Sequence, residues 1–353
     1  MTFDRSPAEI TPPSGQARRA ATERLAQLAT PPGALGRLGD IAVWLSSVQD
    51  SVPPLPIDDA RLVIFSGDHG VSQFGVSAFP AALTGVITRA AVSGQLVTNI
   101  LARTHGVAVR VLDINVDDDF AELPQDTRNS LQQYKIRRSC GAIHIEDAMT
   151  PAETTAALLA GAEVARHEIA DGAQLLMSGD LGIGNTTPAA ALVAAGLGLP
   201  AREVVGRGTG IDDAMLTHKI DVVQQALDRA GTRTDDGVDT LTALGSPDLA
   251  AATGFLLTAA DLGTPVLLDG LMAVACALTA DRIRPGAAAW FAAGHRSTEP
   301  AQSMALDKLG LTPVLDLDLR VGEGSGAVAA LPLIRSASAV LRDVALLPSL
   351  LDE

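Results

Sequence analysis

What most constrains this chain is an alternation that begins near residue 61: short, almost continuously apolar runs with helix-forming stretches between them. Six runs qualify as strands, at 62–66, 108–113, 174–178, 265–269, 288–293 and 313–317. A strand with one wet face alternates apolar and polar residues, whereas a strand covered on both faces is apolar throughout. Helical patterns at 154–169, 189–195, 212–229 and 272–280 fill most of the gaps. Parallel strands need crossover connections, so the order predicts βαβ units and an open α/β sheet with flanking helices. Ahead of the alternation lie helical segments at 17–28 and 39–48 and a proline-rich linker, SVPPLPIDD. A last helix, expected over 336–350, is placed to pack with the N-terminal pair.

Composition narrows the function classes. Hydrophobic residues make up 47% and charged residues 19% of the 353, enough to bury a large core. The net charge of −15, with no basic stripe to offset it, argues against nucleic acid as a partner. No apolar run reaches the ~18 to 20 residues that span a bilayer, and the N-terminus has no signal-like stretch. Cys140 and Cys276 lie far apart without metal spacing and are expected as free thiols in a reducing compartment. The expectation is a soluble cytoplasmic protein with no membrane partner.

Nearly every predicted strand ends in glycine or a polar residue, and ligands of open α/β sheets bind beyond the carboxyl ends of strands. The segment SGDLGIGNTTP at 178–188 follows a strand and opens a helix. Its glycines let backbone approach an anion, and the helix start supplies free N–H groups. Gly182, Ile183, Gly184, Asn185 and Thr186 are therefore candidates to bind a phosphate. No lysine follows in P-loop spacing, and G-x-G-x-x-G is absent, which weakens a dehydrogenase reading. A second turn, GRGTG at 206–210, precedes a helix for which Thr209 is a candidate N-cap. Gly208 and either Lys219 or Arg207 could grip the same phosphate.

Past the last predicted strand, RVGEGSGA at 320–327 sets Glu323 among glycines, where a carboxylate with a raised pKa can act as a general base. Asp180 is a second catalytic candidate, to stabilise positive charge, orient a ring nitrogen or cap a helix. GDHGV at 67–71 invites a metal reading, but no ligand cage matches, so no metal is expected. Val76, Phe79 and Pro80 suit the wall around a flat apolar ligand. His295, in GHRSTEP at 294–300, reads first as a structural histidine.

Taken in order, PPGALGRL, GDHGV, GVSAFP, SGDLGIGNTT, GRGTGID, LDG, GHRSTEP and RVGEGSGA resemble the nicotinate-nucleotide–dimethylbenzimidazole phosphoribosyltransferases over about residues 30 to 335. The resemblance implies a Rossmann-like domain over 60–325 and a small helical domain formed by 1–59 with 326–353. It implies a homodimer, small-molecule substrates and no metal or redox cofactor. It also implies transfer of ribose 5-phosphate from nicotinate mononucleotide to 5,6-dimethylbenzimidazole, giving α-ribazole 5′-phosphate and nicotinate in assembly of the cobalamin nucleotide loop. By motif, Glu323 matches the catalytic base, Gly182 to Thr186 with Gly208 and Lys219 the nucleotide-phosphate site, and Ser77, Phe79 and Pro80 the base pocket. Two positions depart from the pattern. Asp180 stands where the family often has glutamate, and Gly85-Val86 follows Thr84 where a glutamine is often found.

Overall fold

The computed structural model describes residues 9–351. Five strands, β1 (Ala60–Gly67), β2 (Ala108–Asn115), β3 (Leu175–Leu181), β4 (Val266–Leu268) and β5 (Phe291–Ala293), form one parallel sheet in the order β2-β1-β3-β4-β5. The chain is an α/β protein of the doubly wound kind, and the strand order reverses between β1 and β3. β1 pairs over its length with both neighbours, Ile64 lying beside Val111 and Gly179.

Alternate strand residues feed two apolar layers. Val63, Phe65, Leu112, Ile114 and Leu176 face one layer, shared with helices Pro151–Ala170, Thr186–Leu197, Pro247–Asp261 and Leu271–Ile283. Leu62, Ile64, Leu175, Met177 and Leu267 face the other, shared with Gly36–Gln49 and Ser325–Asp343. Both faces are covered, so the strands carry apolar residues without alternation.

Three expectations need correction. The run at 313–317 does not add a sixth strand to the sheet. It shrinks to β7 (Leu315–Asp316), which pairs with β6 (His295–Arg296) in a separate two-stranded sheet and meets the end of β5 through a bond from Val314 N to the Ala293 oxygen (2.9 Å). The break falls at Gly294, where a Cβ would stand 2.8 Å from both the Leu268 carbonyl oxygen and Ala327 Cα. Glycine at this position lets the start of helix Ser325–Asp343 approach the strand end closely. The run at 288–293 likewise opens as a 3-10 turn, Ala287–Trp290, before β5.

The helix expected from 336 begins at Ser325 and ends at Asp343, with Pro332 inside it. Arg24 ties the chain ends together, its guanidinium donating to the carbonyls of Leu341 (2.7 Å) and Arg342 (3.0 Å). Helices Pro151–Ala170 and Pro247–Asp261 cross at glycines. A Cβ at Gly161 would sit 1.7 Å from the Ala251 oxygen, and one at Gly254 would sit 2.0 Å from the Leu158 oxygen. No helix among the described residues is long and apolar enough to cross a membrane.

Candidate active site

A cleft of about 200 Å³ opens at the carboxyl ends of β3 and β4, next to the reversal of strand order. Its walls come from the turn after β3, the 206–210 loop, the start of helix Leu271–Ile283, the segment after β5 and the 320–323 loop. This is the position at which doubly wound sheets hold ligands.

Of the five residues at 182–186, Gly182, Ile183, Asn185 and Thr186 line the cleft, while Gly184 turns toward Ser72 with φ 84°. Gly182 is forced by packing, since a Cβ there would be 2.2 Å from the Gly67 oxygen and 2.8 Å from His69 Nε2. Thr84 holds the turn from behind, its hydroxyl accepting the Ile183 N–H at 3.1 Å. The helix that follows starts without a side-chain cap, because Asn185 already has helical backbone; its side-chain amide donates to Asp180 Oδ1 (2.8 Å).

Gly208 and Thr209 reach the same wall from the second turn. Thr209 does not cap the next helix. Asp212 does, accepting from Met215 N at 2.8 Å, while Thr209 Oγ1 accepts from Ala78 N at 3.3 Å. Lys219 is buried, and its ammonium donates to Thr186 Oγ1 (2.8 Å) and the Gly206 oxygen (3.3 Å). Burial lowers its pKa to about 8, opposed by the nearby Glu299 carboxylate. Glu299 accepts the Gly208 N–H at 2.7 Å. Three separate segments thus converge on a hydroxyl, an ammonium and a helix start, the groups that hold a phosphate. Arg207 points elsewhere, to Asp213 and the Ile211 carbonyl.

Glu323 lines the cleft from across this site. It has φ 63°, with Gly322 at 80° and Gly324 at 91°, a run of left-handed residues that glycine neighbours make accessible. Gly179 lies beneath this loop, and any Cβ there would be 2.4 Å from the Glu323 oxygen. Asp269, at the end of β4, accepts N–H bonds from Gly324 (2.9 Å), Gly326 (2.8 Å) and Ala327 (3.1 Å). It therefore fixes both the Glu323 loop and the helix start behind it. His295 Nε2 stands 3.4 Å from the same carboxyl group. Burial pushes the imidazole down, but the Asp269 carboxylate more than compensates and leaves its pKa above the ordinary value. The Glu323 carboxylate accepts a hydrogen bond from Thr98 Oγ1 at 3.1 Å. Burial raises its pKa above that of an ordinary glutamate, with Asp269 adding to the effect and Thr98 opposing it. A carboxylate so placed has capacity to accept a proton from a bound ligand.

Asp180 lines the cleft wall between these two regions. Burial, and then the neighbouring Asp248 carboxyl, raise its pKa well above the usual range. Of the base-pocket candidates, Phe79 lines the cleft beside Ile87. Ser77 is half-buried and accepts from Phe79 N at 3.3 Å, and Pro80 is exposed; neither lines the cleft. Val76 is buried in the core. Among the described residues no group of three or more His, Cys, Asp or Glu is arranged to hold a metal ion. Cys140 and Cys276 are buried and unpaired. Asp269, His295 and Glu299 belong to sequence segments already singled out, whereas Thr98 and Asp248 gave no signal for the roles they take here.

Comparison with known proteins agrees with this geometry. Residues 10–349 match a family model described as Phosphoribosyltransferase. The chain is 46% identical to the nicotinate-nucleotide–dimethylbenzimidazole phosphoribosyltransferase of Mycobacterium avium, over 96% of this chain and 95% of that one. It is 45% identical to the protein of that name from Corynebacterium efficiens, over 96% and 89% respectively. The crystal structure of CobT from Thermus thermophilus superimposes with a TM-score of 0.89 at 41% identity, covering 94% of this chain and 98% of that one.

Proposed function

The chain belongs to the nicotinate-nucleotide–dimethylbenzimidazole phosphoribosyltransferase family, and from that premise we propose that its cleft transfers ribose 5-phosphate from nicotinate mononucleotide to 5,6-dimethylbenzimidazole, with Glu323 as general base. The protein is a phosphoribosyltransferase, a pentosyl-transferring enzyme. The observation that carries the finer reading is the convergence on one cleft of a phosphate-type cradle (Thr186, Gly208 and Lys219) and a half-buried carboxylate of raised pKa, Glu323, across from it.

The chemistry asks for those two elements. In nicotinate mononucleotide the pyridine nitrogen is cationic, so it leaves C1′ with its bonding pair and needs no general acid. Positive charge develops on the ribose as that bond lengthens. The benzimidazole attacks C1′ through one ring nitrogen and loses the proton of the other to Glu323. Displacement from the opposite face inverts the β-nucleotide and gives the α-linked product. General-base assistance contributes typically ~10²–10⁴-fold, and holding both substrates in line supplies several kcal/mol more. Phe79 and Ile87 offer an apolar wall for the flat base. Among the groups at 182–186, the Ile183 backbone amide is engaged by Thr84 and the Asn185 backbone amide by the Gly182 oxygen. The Thr186 hydroxyl, with its oxygen held by Lys219, is therefore the side-chain donor that can turn its proton to the phosphate.

The same reading places the protein in the cytoplasm as a step of cobalamin nucleotide-loop assembly, acting as a two-fold homodimer without a cofactor. Light scattering at micromolar concentration is expected to give about twice the 36.2 kDa of one chain; a single-chain mass would refute the dimer. The function is tested by mass spectrometry and NMR of the products from nicotinate mononucleotide and 5,6-dimethylbenzimidazole. An α-configured riboside phosphate is the expected product, and a β-configured one would overturn in-line displacement.

A further inference from the structure

Behind the cleft lie buried polar groups that the transfer as described does not use. Asp248 opens helix Pro247–Asp261 and is wholly buried, its backbone N–H donating to Asn115 Oδ1 at 3.2 Å. Its carboxyl group lies within hydrogen-bonding reach of that of Asp180. No N–H or O–H among the described residues makes a well-formed hydrogen bond to either Asp248 oxygen or to Asp180 Oδ2. His69 Nε2 stands 3.4 Å from Asp248 Oδ2, and neither side chain reaches solvent. β1 ends in glycine to admit this arrangement: a Cβ at Gly67 would be 2.7 Å from Asp248 Cγ and 2.3 Å from Asn115 Oδ1. Packing thus presses two carboxyl groups together away from water.

Two such carboxyls cannot both ionise, so the pair holds a proton between them. Other groups face Asp180 as well. Asn185 donates to its Oδ1 from the helix start. Asp269 acts on it from the end of β4, and the Cys276 thiol from helix Leu271–Ile283. The backbone N–H of Glu323 reaches the Asp180 carbonyl at 3.3 Å. Apart from the Asn185 amide, these neighbours oppose a charge on the Asp180 side chain or leave it unchanged, whereas Asp248 has the His69 ring at its side.

We propose that Asp248 is a positioning residue that keeps Asp180 protonated, so that the cleft wall opposite Glu323 is a neutral acid and not a second carboxylate. Glu323 is then the carboxylate left to take the proton of the incoming base, since Glu299, which also lines the cleft, is engaged by the Gly208 N–H. Asp180 serves the nucleotide as a hydrogen-bonding partner and does not compete with its phosphate by charge.

The test is infrared difference spectroscopy on the full-length protein at neutral pH, reading the carbonyl stretch of protonated carboxyl groups. Subtracting Asp180→Asn from wild type is expected to leave a protonated-carboxyl band. As the pH is raised, Asp248→Asn is expected to lose that same band at a lower pH than the wild type does, because Asp180 keeps its burial but loses its carboxyl neighbour. A difference spectrum without the band, or a band lost at the same pH in Asp248→Asn as in the wild type, overturns the proposal. Should Asp248→Asn fail to fold by circular dichroism, the wild-type minus Asp180→Asn spectrum decides alone. A second readout rests on the function proposed above. At saturating nucleotide, the alkaline limb of kcat is expected to move to lower pH in Asp248→Asn and to vanish in Asp180→Asn. An unmoved limb counts against the assignment. If the wild-type protein transfers nothing, the function fails while the infrared result still decides the protonation state.

Discussion

At Glu323, two observations bear on one property: left-handed backbone held by flanking glycines, and burial that raises the carboxyl pKa. The base works ionised, so turnover is expected to rise with pH through a limb set above the ordinary glutamate range. Glu323→Gln removes the proton acceptor at nearly constant size. It should cost ~10²-fold or more in turnover, abolish that limb, and leave mononucleotide affinity within a few-fold. Near-normal turnover in Glu323→Gln would move the base elsewhere. Lys219 gives a prediction of opposite sign. Its ammonium binds phosphate only when protonated, and its pKa in the free protein is about 8. The Michaelis constant for the mononucleotide should therefore climb above pH 8, by up to about tenfold per pH unit for one proton. Lys219→Met should raise the constant at pH 7 and flatten that dependence; an unchanged slope would exclude Lys219 from phosphate binding. Both residues stood out in the sequence, one by its glycine frame and one by its place after a glycine turn. Thr98 and Asp248 did not. The Thr98 hydroxyl bonds a carboxylate 225 positions away, and Asp248 looks like an ordinary first-turn acid of a helix. Their roles exist only through contacts that no local pattern encodes.

Elements were legible where burial dictates composition. β1 and β3 are covered on both faces and therefore read as apolar runs, as does the inner half of the edge strand β2. β6 and β7 have two residues each, too short for any periodicity, and they pair across more than a dozen intervening residues. The crossing of helices Pro151–Ala170 and Pro247–Asp261 was equally silent, since Gly161 and Gly254 look like weak points in otherwise good helices. Helix propensity alone would have Gly161→Ala stabilise by about 1 kcal/mol. The new methyl group meets the Ala251 backbone oxygen, which no rotamer change can move. Gly161→Ala should therefore destabilise by about 1–3 kcal/mol, seen as a lower urea midpoint. Gly196→Ala is the control, because its nearest neighbour at 3.0 Å is the flexible Leu278 side chain. Equal effects of the two substitutions would contradict the crossing described here.

For the molecule as a whole, sheet order, cleft and family membership agree on one location. Strand order reverses beside β3, and the walls of the cleft there are built from loops brought together by distant parts of the chain. The central claim is that one cleft couples departure of the pyridine to arrival of the base, with no stable intermediate between. Direct displacement makes nicotinate release depend on the acceptor. The decisive measurement follows nicotinate and riboside phosphate together in one reaction, with and without 5,6-dimethylbenzimidazole. Equal amounts of both should form when the base is present, and release without it should be at least about a hundredfold slower, the scale of the catalytic contribution assigned to the base step. Nicotinate released at an unchanged rate in its absence would contradict the account, because the cleft would then be hydrolysing the nucleotide.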